Sequence, residues 1–333
     1  MDKKIGVIGT GVWGTALSLT AAEAGNQVLC WAREKEVVDS INHFHVNTPY
    51  LPDLPLPDAI RATTDIAEVL SFADVILMTV SAQYSRSVFE TMKPFIKETT
   101  TLVLCAKGIE VATGNLLSET AKEVFGPMVN LAILSGPGFA IEVAAKKPTS
   151  TTIACAQEGK SAQLAEMLGT PYFRPYLTTD MISPQIGGSV KNVLAIASGI
   201  VEGARLGEGA RAALITRGLN EMIRLSKALG GHARTMMGMC GLGDLVLTAS
   251  CCQSRNFSFG FEVGRAGHAK AALDGNTRTV EGIATTKAVL KRAMELGIEM
   301  PICSMVYKVL FEDYAIDSAL KEFFARPYKE EGF

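Results

Sequence analysis

Short apolar runs alternate with longer amphipathic segments through the first half of the chain. The runs are apolar on both faces, which is typical of strands in a parallel sheet that helices cover on both sides. The segments between the runs, such as Gly14–Ala24 and Ser85–Ile96, are long enough for crossover helices. This alternation predicts a doubly wound α/β domain. The predicted strands are Lys4–Ile8, Val28–Ala32, Val75–Val80, Leu102–Ala106, Leu131–Leu134 and Thr151–Ala156.

One segment of this first half breaks the alternation. Asn47–Asp58, between the second and third predicted strands, contains four prolines. Proline lacks a backbone donor and favours turns, so we predict an irregular loop there.

The second half of the chain has a helical pattern. Strand-like runs largely stop after about residue 185, and apolar positions then recur with helical spacing. We predict an all-α domain, with a boundary near Pro184–Ser189 that divides the chain into residues 1–187 and 188–333. Gly25 and Gly230 follow helical patterns and are predicted to end helices. The predicted helices of this half are Val190–Ala204, Ala210–Leu229, Glu281–Leu296 and Ser304–Asp313.

Composition and charge narrow the classes of function. The chain has 333 residues, of which 48% are hydrophobic, so it can bury a large core and is not intrinsically disordered. Its 32 lysines and arginines nearly balance its 34 acidic residues. Proteins that bind nucleic acid or a membrane surface usually carry a basic excess. We therefore exclude those partners and expect a small-molecule ligand.

Cysteine and histidine spacing indicates neither a disulfide framework nor a metal site. The seven cysteines include no CxxC pair, which favours reduced thiols in a reducing compartment. The adjacent Cys251 and Cys252 are either a redox pair or, as we prefer, unreactive thiols. His43 and His45 are predicted to lie in the loop after the second helix, without metal-ligand spacing. We find no secretory leader and no apolar run near the roughly 18 residues that span a bilayer, so we predict a cytoplasmic protein.

A glycine-rich turn follows the first predicted strand directly. Gly9, Gly11 and Gly14 form the GxGxxG spacing at the start of the first predicted helix, with a second strand close behind. In such a turn the glycines allow a tight bend, close approach of a pyrophosphate and close packing of helix on strand. The helix N-terminus adds free N–H groups for the pyrophosphate. The whole unit therefore predicts a Rossmann-like dinucleotide site, in which Val12 lies within the turn.

Two side chains near this turn bear on the cofactor. Arg33 occupies the end of the second strand, where an NAD site usually has an acidic residue, and Glu34 follows it. An arginine there can pair with a 2′-phosphate, so NADP(H) is favoured and NAD(H) stays possible. Trp13, inside the glycine turn, either covers the pyrophosphate or only packs against its neighbours.

Polar residues interrupt apolar surroundings at four further places. Lys107 and Gly136 follow two predicted strands, at the edge of a parallel sheet where ligands bind. Lys191 is the only charge between Asp180 and Glu202, at the beginning of a predicted helix. Asp244 lies in an apolar turn between glycines, and a contact with Lys191 would explain both charges. Such a pair can be only structural, but a neighbouring nucleotide turn favours a catalytic one.

These segments together resemble the NAD(P)-dependent glycerol-3-phosphate dehydrogenase family of the bacterial type. The resemblance covers nearly the whole chain in the family's order. It also implies a helical second domain like the C-terminal domain of 6-phosphogluconate dehydrogenase. The matching motifs are Gly9–Gly14, Lys107-Gly108, Ser135-Gly136-Pro137, Val190-Lys191-Asn192, Gly241–Leu245, Ser254-Arg255-Asn256 and Val280-Glu281-Gly282.

The resemblance implies a role for each matching residue. Lys191 is the catalytic acid and base, Lys107 lies near both cofactor and substrate, Asp244 partners Lys191, and Thr248 helps to hold the site. The expected substrate contacts, besides Lys107, Lys191 and Asp244, are Gly136, Gly138, Ser254, Arg255 and Asn256. The expected cofactor contacts, besides the glycine turn, Arg33 and Lys107, are Ala140, Arg255, Thr279 and Glu281.

One position departs from the family pattern. The family usually has serine or threonine after Gly-Pro, where this chain has Gly138. A side-chain contact with the substrate is therefore missing, and we expect altered affinity rather than lost activity.

The activity that the resemblance implies is reversible reduction of dihydroxyacetone phosphate to sn-glycerol 3-phosphate for glycerophospholipid synthesis. A homodimer is expected with it. Relatives with the same two-domain plan act on 3-hydroxyacids, 6-phosphogluconate or ketopantoate, and fold does not choose among them. A sensor that binds NADP(H) without turnover is the alternative from another class, although a sensor needs no proton donor.

Overall fold

The computed structural model describes residues 3–127, 129–274, 279–325, 327 and 330. The chain forms two compact units. The sheet unit comprises Met1–Lys107 and Leu116–Met181, and the helical unit comprises Gly108–Asn115 and Ile182–Phe333. The chain leaves the sheet unit for the last time after Met181, whereas residues 187 and 188 lie inside a continuous helix.

The sheet unit is built on one large, mostly parallel sheet. Its strand order is β10-β9-β8-β7-β6-β1-β2-β5, and β3 and β4 form a separate antiparallel ribbon. The strands are β1 (Lys3–Ile8), β2 (Asn26–Trp31), β3 (Val46–Asn47), β4 (Leu51–Pro55), β5 (Ile60–Thr63), β6 (Val75–Met78), β7 (Thr101–Leu104), β8 (Asn130–Ser135), β9 (Thr149–Ala154) and β10 (Phe173–Thr178).

The Rossmann-like prediction is confirmed, with corrections to individual strands. All six predicted strands are present, but β8 and β9 pair antiparallel. The proline-rich segment contains β4 and the last residue of β3, so the prediction of an irregular loop was wrong there. The strands β5 and β10 were not predicted, because neither is a continuous apolar run: β5 has the exposed Arg61 between buried Ile60 and Ala62, and β10 buries only Phe173 and contains Pro175.

Helices cover both faces of this sheet. Alternate residues of its central strands enter two separate cores: Val7, Leu77 and Val103 face one layer, and their neighbours Ile8 and Met78 face the other. The helices are α1 (Val12–Glu23), α2 (Lys35–Phe44), α3 (Ile66–Phe72), α4 (Ala82–Met92), α5 (Leu117–Phe125), α6 (Ala140–Ala144) and α7 (Lys160–Leu168), with a 3-10 turn at Lys93–Phe95.

The helical unit packs around one long, buried helix. That helix, α8, begins at Ser183 rather than at the predicted Val190, so Lys191 lies in its interior and not at its beginning. The helices are α8 (Ser183–Gly203), α9 (Glu208–Ala228), α10 (Ala233–Met236), α11 (Asp244–Ala249), α12 (Arg255–Ala266), α13 (Lys270–Asp274), α14 (Glu281–Glu295), α15 (Pro301–Phe311) and α16 (Ile316–Phe324), with a π-helical turn at Met239–Gly243 before α11.

Glycines let α8 and α12 cross at close range. A Cβ built on Gly199 of α8 would lie 2.1 Å from the carbonyl oxygen of Phe257, and one on Gly260 of α12 would lie 2.1 Å from that of Ile196. Neither position admits a larger residue unless the backbones separate. This packing fixes the start of α12 against the helix that carries Lys191.

Candidate active site

The glycine turn between β1 and α1 has the shape that a diphosphate requires. Gly9 has a φ of +103°, which favours glycine. A Cβ on Gly14 would lie 1.9 Å from the Gly9 carbonyl oxygen, whereas one on Gly11 would meet nothing within 4 Å. Gly11 is the N-cap of α1 and has no capping side chain. The first N–H groups of α1 therefore face an open approach, and the turn fits a dinucleotide pyrophosphate.

A threonine that we did not predict holds this turn. The Thr79 Oγ1 lies 3.0 Å from the carbonyl oxygen of Ile8 and 2.8 Å from that of Gly9. Thr79 follows β6, some 70 residues along the chain, so only the neighbouring of β1 and β6 in the sheet brings it to the turn.

The two side chains considered for the cofactor have different surroundings. The Trp13 indole donates a hydrogen bond to the Cys105 carbonyl oxygen at 3.1 Å and packs against the core, which supports the packing interpretation. The Arg33 side chain is 81% exposed and pairs with Glu34 at 2.6 Å. This neighbour raises the pKa of Arg33 further above its ordinary value. Arg33 is therefore a cation accessible to a ligand, but with a carboxylate already beside it.

Lys107 and the loop after β8 meet within the sheet unit. The Lys107 ammonium donates a hydrogen bond to the Gly136 carbonyl oxygen at 2.8 Å. A Cβ on Gly136 would lie 2.8 Å from the Thr151 Cα, while one on Gly138 would lie 3.1 Å from a Thr149 methyl. Gly136 is thus required by packing, whereas Gly138 is in a tight but not closed position. Ala140, expected beside the cofactor, is the first residue of α6.

The predicted contact between Lys191 and Asp244 is present inside the helical unit. The Lys191 ammonium donates to Asp244 Oδ1 at 2.5 Å and to the Thr248 hydroxyl at 2.8 Å. The Asp244 and Lys191 side chains are 0% and 7% exposed. Asp244 was predicted to lie in a turn, but it is the first residue of α11. Thr248 therefore lies one helical turn later on the same face. This buried ion pair holds the Lys191 side chain at a defined position.

The start of α12 carries the residues expected to hold a phosphate. The Ser254 hydroxyl caps the helix by accepting from the Phe257 N–H at 3.3 Å. Arg255, the first residue of α12, is exposed. Asn256 is buried; its amide group donates to Asn192 Oδ1 at 3.0 Å. An anion is favoured at the positive N-terminal end of a helix dipole. The positive charge of Arg255 at the start of α12 adds to that effect.

Asn192 is a further site residue that sequence reasoning did not assign. It follows Lys191 in α8, accepts from Asn256, and its Nδ2 lies 3.5 Å from Glu281 Oε2. The Asn256 Oδ1 in turn accepts from the Gly282 N–H at 2.9 Å. This network joins the starts of α12 and α14 to α8. Its signal in the sequence was its place beside Lys191 in the matching motif Val190-Lys191-Asn192. Thr279, the other expected cofactor contact, is exposed just before α14.

Metal ligands and disulfides are not part of this arrangement. Over the described ranges, no group of three histidine, cysteine or acidic side chains could hold a metal ion. Cys251 and Cys252 are free and at least partly exposed, and the other cysteines are buried. His43 lies within α2, so its predicted place in the following loop was wrong, whereas His45 follows α2 as its C-cap. No helix in the described part of the chain has the length and hydrophobicity to cross a membrane.

A nucleotide turn open to a diphosphate and a buried lysine held by a carboxylate are the parts of a nicotinamide-dependent oxidoreductase, and the chain has the fold and site of that class. Residues 4–161 match the family described as NAD-dependent glycerol-3-phosphate dehydrogenase N-terminus, and residues 180–321 match the corresponding C-terminus family. The chain belongs to the NAD-dependent glycerol-3-phosphate dehydrogenase family.

Individual relatives agree with this assignment over nearly their whole length. The chain is 47% identical to a glycerol-3-phosphate dehydrogenase [NAD(P)+] of Rhodospirillum rubrum, over 98% of this chain and 94% of the relative. It is 48% identical to the enzyme of that name from Maricaulis maris, over 98% and 97%. The crystal structure of glycerol-3-phosphate dehydrogenase from Coxiella burnetii is similar with a TM-score of 0.91 and 40% identity, over 98% of this chain and 99% of that one.

Proposed function

We propose that the protein catalyses the reversible reduction of dihydroxyacetone phosphate to sn-glycerol 3-phosphate with NADPH or NADH. The observation that carries this proposal is the buried contact of Lys191 with Asp244 and Thr248. Family membership supplies the substrate, and the open turn at Gly11 supports the cofactor.

Lys191 is the general acid of the reduction. When bound, the nicotinamide supplies a hydride to the carbonyl carbon of the substrate. Negative charge then develops on the carbonyl oxygen, and the Lys191 ammonium stabilises it and gives up a proton to form the alcohol. Asp244 and Thr248 fix two of the three N–H directions of this ammonium, so the proton donor does not need to reorganise. In the reverse direction, neutral Lys191 accepts the alcohol proton.

The other expected residues bind and orient the substrate and cofactor. Arg255 offers two parallel donors to the substrate phosphate, which a lysine does not. Ser254 and Asn256 support it at the start of α12, and Asn192 holds Asn256. Lys107 adds a second cation beside the Gly136 carbonyl group.

The remaining parts of the proposal concern organisation and partners. The sheet unit, which ends at Met181 rather than at the predicted residue 187, is the dinucleotide-binding domain, and the helical unit is the substrate-binding domain. The protein acts as a homodimer in the cytoplasm, without nucleic acid or metal, and its product supplies glycerophospholipid synthesis. The family resemblance supports these statements, and sedimentation of the purified protein tests the dimer.

Substitution of Lys191 tests the central claim. With dihydroxyacetone phosphate, the purified wild-type protein should oxidise NADPH or NADH. The oxidation is measured as the loss of the near-ultraviolet absorbance of the reduced nicotinamide. Lys191→Ala should lower kcat by at least about 100-fold, because it removes the proton donor. Lys227→Ala is the matched control, since Lys227 is an exposed lysine of the same unit. Near-normal turnover in Lys191→Ala would remove the role assigned to Lys191. Cofactor binding without any turnover in the wild type would support the sensor instead.

A further inference from the structure

Asn47 reaches the glycine turn from the proline-rich ribbon. Asn47 ends β3 and is 0% exposed. Its Nδ2 donates to the Thr10 carbonyl oxygen at 2.8 Å and to the Thr15 hydroxyl at 2.7 Å. The Thr15 hydroxyl lies 3.3 Å from the same Thr10 oxygen. Asn47 thus joins the middle of the glycine turn to the first turn of α1.

The bond to Thr10 fixes the direction of one particular N–H group. A trans peptide is planar, so the Thr10 carbonyl and the Gly11 N–H point in opposite directions. Asn47 holds that carbonyl toward the protein interior, and the Gly11 N–H is therefore directed away from it. The residue that carries this N–H has free space beside it, because a Cβ on Gly11 would meet nothing within 4 Å.

Hydrogen bonds from α2 hold the backbone on both sides of Asn47. The Ser40 hydroxyl of α2 donates to the Val46 carbonyl oxygen at 2.7 Å and accepts from the Thr48 N–H at 3.2 Å. These two bonds hold the residues on either side of Asn47. The backbone that carries the Asn47 side chain is therefore held in place beside the turn.

We propose that Asn47 is a positioning residue for the cofactor: it orients the Thr10–Gly11 peptide so that its N–H binds the pyrophosphate. This inference rests on the proposed function, because it requires that the turn bind NADPH or NADH. Both cofactors share the pyrophosphate, so Asn47 supports binding of both equally and takes no part in the chemical step.

Asn47→Asp is the sharpest variant, since it keeps the size and removes the donor. The new carboxylate would face the Thr10 oxygen and would place negative charge near the pyrophosphate. We expect the Kd of NADPH and that of NADH, measured by calorimetric titration, each to rise by about tenfold or more, in line with the loss of a buried hydrogen bond. At saturating cofactor, kcat and the KM for dihydroxyacetone phosphate should stay within about twofold of wild type, a split between binding and catalysis.

Asn26 provides a matched control for a merely structural role. It is 1% exposed, lies in the same unit, and its Nδ2 donates to two carbonyl oxygens, those of Ala21 and Met167, both at 2.7 Å. Asn26→Asp should lower the Tm as Asn47→Asp does, while leaving both cofactor Kd values within about twofold of wild type.

Each outcome decides the inference. Unchanged cofactor Kd values in a folded Asn47→Asp protein would overturn it, as would equal losses of affinity in the Asn26 variant. If Asn47→Asp does not fold, Thr15→Val decides, because it removes the hydroxyl that completes the same network. That variant should weaken both cofactors several-fold, and unchanged affinity would overturn the inference. A wild-type protein that binds neither cofactor would instead refute the proposed function.

Discussion

Lys191 shows how a single residue combines structural cost with function. Taking an ammonium group out of water costs several kcal/mol, roughly, and a carboxylate partner only partly offsets that cost. A well-packed apolar pair would be at least as stable at this place in α8. The side chain is 7% exposed and bonded to both Asp244 and Thr248. Such an arrangement is understandable where the charge does chemistry, as a proton donor at a fixed position.

Arg33 gives a prediction about cofactor preference at the same scale. Its guanidinium is exposed and pairs with Glu34, which a 2′-phosphate would have to displace. We expect Arg33→Ala to raise the KM for NADPH by about tenfold, the loss of one charge-assisted bond, and the KM for NADH by less than about threefold. Initial rates with each cofactor measure this.

Glu34→Gln is the companion variant for this position. It removes the competing carboxylate while keeping the length of the side chain. The ratio of kcat/KM for NADPH to that for NADH should therefore rise relative to wild type. Equal losses for both cofactors in Arg33→Ala would show that Arg33 does not discriminate between them.

Among the elements, α15 depends on a cap from another helix. Its N-cap residue, Met300, has no polar side chain to accept the first N–H groups. Glu221 of α9 supplies the missing acceptor: its carboxylate accepts from Ile302 N–H at 2.5 Å and from Cys303 N–H at 3.2 Å. Burial raises the pKa of Glu221 to about 7, although these bonds and nearby Arg224 act in the opposite direction.

The raised pKa predicts how stability changes with pH. Between pH 4.5 and about 7 the folded state holds a proton on Glu221 that the unfolded state has released. The free energy of unfolding should therefore fall as pH rises through this window, by up to about 3 kcal/mol from this group. Glu221→Gln removes the titration, so its stability should fall less steeply over the same range.

Urea denaturation at several pH values between roughly 5 and 8 gives the free energy of unfolding of the wild type and of Glu221→Gln for comparison. Near pH 5 both side chains are neutral and the two free energies should be closest. Parallel curves across the whole range would show that Glu221 does not titrate there.

For the whole molecule, the sequence predicted what depends on local pattern. The runs that became β1, β2 and β6 were identified because they are apolar on both faces, and the glycine turn because its spacing is local. The ribbon β3–β4 was missed because the hydrogen bonds that hold it reach distant parts of the chain, from Ser40 of α2 to Val46 and from Asn47 to Thr10.

The site was predictable to a similar degree. The contact of Lys191 with Asp244 followed from two charges that each lacked a local explanation. Thr79 was not predictable, because its role arises only from strand order. The segment Gly108–Asn115 also belongs to the helical unit, where the Lys291 ammonium donates to the Ala112 carbonyl oxygen at 2.9 Å. That contact joins residues that are 179 positions apart in the sequence, and no local pattern predicts it.

The separation of the nucleotide turn and Lys191 into different units leads to a last prediction. A ligand that binds only the folded state raises the free energy of unfolding. The increase is about 2.7 kcal/mol at a ligand concentration of roughly 100 times its Kd. NADPH should therefore raise the Tm of the wild-type protein. Lys191→Ala should show the same increase, because the proposed function assigns the pyrophosphate to the turn at Gly9 and Gly11 and assigns proton transfer to Lys191. Scanning calorimetry with and without NADPH measures both shifts. A variant that has lost both turnover and the NADPH-dependent shift would mean that Lys191 supports cofactor binding, and its kinetic defect would then not identify it as the proton donor.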